Sequence, residues 1–325
     1  MTTTQPTLFT VWSTKPVDIE LFGRALRRTT TGDRWAIAML AEHRVLTTGQ
    51  LTALGFHATA EGTERRLRIL ARRGWLTRFL VLRGDIPAIE TAWSIGPFGA
   101  ALTSPLAEPL PNPARVFQER DRLRADPRTA VLLDTNQWFV DLAAYARTRP
   151  GTDLRTWWSP RTCSGVLAPA RHAAWHGELV HHGRRHGFWL EPDPGDVPVA
   201  PIADRVHRYP DLAQRTGVAT VLFHAADARR EAAIRRRLDR ANLTGLTVAT
   251  TSRGHGDPAE AVWLPVRGEQ RLALQQLPVT EQVCHPNDDA HVTEAENLAP
   301  HPIRDPNRPY DEAVVDGAHS YIERS

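Results

Sequence analysis

Arg65-Arg66-Leu67-Arg68-Ile69-Leu70-Ala71-Arg72-Arg73-Gly74-Trp75-Leu76 is the stretch on which the reading of this chain turns. At about 100° per residue, Leu67, Leu70, Ala71 and Gly74 share one arc of a helical wheel, and Arg65, Arg66, Arg68, Arg72 and Arg73 share the opposite arc. The spacing predicts a helix from about Glu61 to Arg73, stopped by Gly74, with one face to pack and one face of five guanidinium groups. Ile69 lies among the arginines.

Working outward, Asp33 is placed to cap a helix through Trp35, Ile37, Ala38, Leu40 and Ala41. Thr47 followed three residues later by Gln50 has the spacing of a capping box, Leu51 and Leu54 give that second helix its apolar face, and Gly55 ends it. Downstream, Trp75–Leu82 reads as a strand, Arg83-Gly84-Asp85 as a turn and Ala92–Ile95 as the returning strand, with a short helix from Pro97 to Leu102. Three short helices and a hairpin over residues 30–102 give the order of a winged helix-turn-helix. Guanidinium groups bind phosphate oxygens and donate bidentately to guanine. The expected partner is therefore double-stranded DNA, met by Arg65, Arg66, Arg68, Arg72 and Arg73, with Arg78 and Arg83 of the hairpin on the backbone or in the minor groove. The same architecture also docks proteins, which is the alternative.

The rest of the chain divides by composition. Residues 1–29 read as a flexible arm and residues 103–126, with Pro105, Pro109, Pro111 and Pro113, as a linker. An amphipathic helix is expected over 127–148, with a face that suits either a core or a homodimer interface. Strands are expected near 178–182, 187–191, 218–224, 246–250 and 262–266, and helices near 203–216 and 228–241, an α/β domain over 127–277. The fold class is thus α/β, or α+β for the whole chain. Residues 278–325, rich in Pro, Asp, Glu, His and Asn, are expected to be a disordered acidic tail.

Charge follows the same division. Residues 281–325 hold ten acidic and three basic residues, a balance of −7 that leaves +10 for the remainder of a chain whose net charge is +3. A basic body suits a polyanionic partner. Lys15 is the sole lysine, so nearly all of that charge is arginine. No run of 18 apolar residues is present, Met1–Gln5 lack a secretory pattern, and Cys163 and Cys284 are far apart, so a reducing cytoplasm without membrane contact is expected.

Further segments join this pattern: Leu46–Leu51, Trp93-Ser94-Ile95-Gly96 with Gly99-Ala100, Asn136-Gln137-Trp138-Phe139-Val140-Asp141-Leu142, Trp157-Trp158 and Trp189-Leu190-Glu191-Pro192-Asp193-Pro194-Gly195. Together, across about residues 33–266, they resemble the replication-relaxation family of actinobacterial plasmids and integrated elements. That resemblance implies a role in plasmid replication or in relaxation and conjugative transfer, with replication or relaxosome proteins as partners. It also implies a restriction-endonuclease-like second domain, in which carboxylates hold Mg²⁺. Glu191 and Asp193 are the carboxylates that match. Ala174 stands where an Asp is expected and no lysine follows, so the site reads as degenerate: no catalytic residue, and no Mg²⁺ unless that pair is active.

His172, His176, His181, His182 and His186 cluster, but without a HExxH glutamate they are read as loop residues, and no metal site is expected. The basic helix Arg229–Leu238 either extends a DNA surface or packs on the sheet. A GxxxxGK[ST] phosphate loop is absent. The expectation is a non-catalytic DNA-binding protein, with a transcriptional regulator of the same element or a Mg²⁺-dependent nuclease as alternatives.

Overall fold

A computed structural model describes residues 17–83, 88–104, 111–166, 174–278 and 299–303. The fold is mixed α/β and falls into two compact units, which divide after Ala130. Among the described residues no helix is long and apolar enough to cross a membrane.

The first unit opens with α1 (Ile19–Leu26), capped by Asp18, whose carboxylate accepts from the Leu21 amide at 2.8 Å. This helix lies in the stretch expected to be a flexible arm. Its Phe22 is buried, with its ring centroid 5.8 Å from that of Trp75 and 5.9 Å from that of Phe98, and this packing holds the segment in place. Residues 1–16 lie outside the described residues. α2 (Thr31–His43) is capped by Thr30 rather than by Asp33; Asp33 is the third helical residue, and its carboxylate accepts from the Thr30 amide while its own amide donates to Thr30 Oγ1 in a capping box. β1 (Leu46–Thr47) leads into α3 (Thr48–Ala53), where Thr47 and Gln50 form the expected reciprocal cap. α4 (Ala60–Arg72) is capped by Thr59, and Gly74, with φ +82°, turns the chain into β2 (Leu76–Arg83). β3 (Ala88–Ile95) returns antiparallel, and β1 completes a three-stranded sheet in the order β1–β3–β2.

Next, α5 (Pro97–Leu102) crosses back under the hairpin. Its entry depends on two glycines: a Cβ on Gly96 would lie 2.5 Å from the Gly74 carbonyl oxygen, and one on Gly99 2.4 Å from that of Trp75. α6 (Pro113–Ala125) occupies the expected linker and packs against β2 and α5. Pro113 sits at the first helical position behind Asn112, where its missing N–H costs no hydrogen bond, so proline begins an element here instead of separating two. Residues 105–110 lie outside the described residues.

α7 (Arg128–Arg147) enters the second unit, which contains residues 131–304. β4 (Thr152–Trp158), α8 (Pro160–Val166), β5 (Trp175–His181), β6 (Arg184–Pro192), α9 (Val199–Ala203), a 3₁₀ turn (Asp204–Arg208), α10 (Tyr209–Thr216), β7 (Thr220–Ala225), α11 (Ala228–Leu238), β8 (Thr247–Ser252) and β9 (Leu264–Pro265) follow. The six strands stand in sequence order; β6, β7 and β8 are parallel and the remaining pairs antiparallel. Alternation along each strand separates two cores. Phe188 faces α7, where Trp138 and Phe139 lie 5.5 and 6.1 Å from it and Phe139 stacks on Trp157 at 5.1 Å. Trp189 faces the other side and packs with Ile202, Tyr209, Phe223 and Ile234. Residues 299–303, within the expected disordered tail, are placed here: Ala299 joins this second core and His301 reaches the Asp153 carboxylate at 3.3 Å. The rest of the tail, Cys284 included, lies outside the described residues.

Gly99→Ala is expected to lower stability by about 1–3 kcal/mol, because backbone and not a movable side chain opposes the new methyl. An unchanged midpoint in equilibrium urea denaturation would refute the tight α5–β2 approach.

Candidate nucleic-acid interface

Leu67 and Leu70 of α4 are fully buried, and Thr63 joins α3 through a hydroxyl pair with Thr52 at 2.9 Å. This packing turns Arg65, Arg68 and Arg72 outward along one stripe, with Arg73 at its end. Arg65, Arg72 and Arg73 make no ion pair among the described residues, and neither does exposed Arg78 on β2. Arg68 pairs with Glu64 one turn back at 2.5 Å, on a side chain that stays 56% exposed. Such an exposed pair is worth little and exchanges readily for another anion. The Arg83 side chain and residues 84–87 lie outside the described residues.

Arg66 departs from the expected face. It is only about 40° from Leu70 on the wheel, so it sits at the border of the packed arc. Its guanidinium turns inward and grips Asp33 of α2 with two hydrogen bonds, the Nε–Oδ1 contact measuring 2.7 Å. Asp33 is 1% exposed. Burial pushes its carboxyl up, but hydrogen bonds from Arg66 and Thr30 outweigh burial and hold it below the ordinary aspartate value. Arg66 thus fixes α4 onto α2.

The two carboxylates of the nuclease-like pair are likewise spent. Glu191 at the end of β6 is buried and accepts from Tyr209 Oη at 2.7 Å and Arg205 Nη1 at 2.9 Å. Asp193 accepts from Arg230 Nε and Nη2 of α11 at 2.5 and 2.7 Å and from the Gly195 amide at 3.0 Å. Burial raises the Asp193 carboxyl, and the Arg230 bonds more than reverse that. A guanidinium on each carboxylate repels a second cation, so this pair does not fit Mg²⁺. Among the described residues no group of three or more His, Cys, Asp or Glu side chains is arranged to hold a metal ion.

Most of the basic helix α11 also serves the fold. Arg230 holds Asp193, Arg237 holds Asp204, and Arg235 donates to the carbonyls of Leu264, Pro265, Val266 and Gly268. Glu231 of the same helix is buried between Arg271, Thr250 and Ser252. An open groove of about 510 Å³ beside α11 is lined by Arg235, Arg236, Glu231, His255 and Arg271, but Arg235 and Arg271 in it are already committed. The histidines divide similarly. His176 is buried on β5, its Nδ1 3.0 Å from the Phe188 carbonyl, and His181 stacks edge-on against His182. His172 lies outside the described residues.

A sequence profile of replication-relaxation proteins matches residues 37–224, from within α2 to the last residue but one of β7. The chain belongs to the replication-relaxation family. No curated protein and no solved structure matches it. The matched span contains the arginine stripe of α4 and the Glu191 and Asp193 carboxylates; Arg230, which neutralises Asp193, lies beyond it.

Two expectations concern stability. Arg66→Ala leaves Asp33 as an unpaired buried charge and is expected to cost about 3 kcal/mol; the double variant Asp33→Asn/Arg66→Ala is expected to recover part of that loss in urea denaturation. His176 is lowered to about 4, chiefly by burial. The unfolded chain then binds a proton below its ordinary value near 6.5 that the folded chain refuses. Stability is accordingly constant above that value and falls by about 1.4 kcal/mol per pH unit as pH drops towards 4. Comparing wild type with His176→Gln at pH 7 and pH 5 isolates that loss; equal losses in both would assign it elsewhere.

Proposed function

We propose that the first unit is a winged helix-turn-helix that binds double-stranded DNA through α4, and that the protein serves plasmid replication or DNA relaxation as a DNA-binding component that does not cut. The observation that carries this reading is the outward stripe of Arg65, Arg68, Arg72 and Arg73 on a helix whose opposite face is locked into the unit. Arg78 adds a further free cation on the hairpin. Such a helix fits the major groove, which is wide enough for an α-helix, and arginine is the residue that reads guanine there bidentately. The family's name supports a role in replication and relaxation. Against cleavage stands the pairing of Glu191 with Arg205 and of Asp193 with Arg230.

Fluorescence anisotropy of a labelled duplex over a salt series tests the interface. Each arginine that meets a phosphate is expected to contribute a slope of about one in log K against log salt. Arg65→Ala, Arg72→Ala, Arg73→Ala and Arg78→Ala are each expected to weaken binding, the phosphate contacts lowering that slope and a base contact costing about 1–3 kcal/mol at its preferred sequence. Arg66→Ala is expected to change stability and leave the slope alone. Wild-type affinity and slope in all four exposed-arginine variants, or no binding at low salt, would reject α4 as the reading helix.

A further inference from the structure

The described strands of the β2–β3 hairpin present three large aliphatic side chains to solvent: Leu80 at 63%, Leu82 at 69% and Ile89 at 65% exposure. They share one face of the ribbon. Leu82 is paired directly with Ile89 and Leu80 with Thr91, while Phe79, just before Leu80, turns inward. Arg78, two residues before Leu80 and paired with buried Trp93, points the same way and is the one charged side chain described on that face.

A second copy of the chain is a poor occupant. A standard protein interface takes about 800 Å² from each partner, spread over some 20–30 residues, and three side chains on one face of a two-stranded ribbon do not supply that. A duplex asks for far less, since one or two apolar side chains suffice to part a base step in the minor groove. The cation beside the patch complements the phosphates that border such a step. Resting on the DNA-binding reading above, we propose that this exposed face of the ribbon is an apolar wedge: Leu82 and Ile89 enter between base pairs from the minor groove, with Leu80 behind them and Arg78 on the flanking phosphate, so that binding bends the duplex.

The test uses the full chain and a mixed-sequence duplex of about 40 base pairs, far below the DNA persistence length of about 150 base pairs, with donor and acceptor dyes at its ends. Anisotropy reports binding and energy transfer reports bending in the same sample. Wild type is expected to raise energy transfer at saturation. The variant Leu80→Ser/Leu82→Ser/Ile89→Ser is expected to bind within about threefold of wild type, because the wedge's contacts are offset by unstacking, but to leave energy transfer at the value of free duplex. Saturation by wild type without a rise overturns the wedge and leaves DNA binding standing. A variant that bends DNA as wild type does also overturns it, and a dimer that becomes a monomer in sedimentation with bending unchanged assigns the patch to a second copy. Absence of binding at low salt overturns both readings.

Discussion

Among the described residues four carboxylates are at most 4% exposed, and each meets a guanidinium from another element: Asp33 with Arg66, Glu191 with Arg205, Asp193 with Arg230, and Glu231 with Arg271. A buried carboxylate without a partner is costly, and removing one member of such a pair destabilises strongly. This requirement sorts the arginines. Those near a buried acid are drawn inward and tie α4 to α2, α11 to the end of β6, and the segment after β9 to α11. Those on α4 with no buried acid in reach stay in solvent, where a polyanion can meet them.

The sorting explains which parts of the sequence were legible. The α4 helix, the Thr47–Gln50 cap and the parallel strands announce themselves through local periodicity and spacing, because each is decided by residues within a turn or two of one another. The role of Arg66 is not local: its position on the wheel is marginal, and Asp33, 33 residues upstream, decides it. Glu191 and Asp193 look like metal ligands beside one another in sequence, while the side chains that occupy them come 14 and 37 residues later. The arginine density of α11 points towards Arg230 but reads equally as a surface, and nothing local marks Arg205.

Other differences have local causes. β4 is hard to recognise because its C-terminal end breaks the alternation of buried and exposed positions: Trp157 and Trp158 are both buried, one towards Phe139 and one in the core around Tyr209. The register of β4 also shifts between Leu154 and Thr156. The expected linker conceals α6 because four prolines suggest irregular chain, yet the last of them begins a helix. The short segment at 299–303 shows that a tail of polar composition can still place two or three apolar groups where a core has room.

The family match ends at residue 224, but the second sheet does not. β8 pairs with β7 through residue 252, and α11 covers Val221 and Phe223. A fragment cut where family similarity ceases would strand β7 as a raw parallel edge, open to adhesion between chains. The smallest self-sufficient piece of this unit is therefore set by hydrogen-bond closure of the sheet, not by shared ancestry, and extends at least through β9.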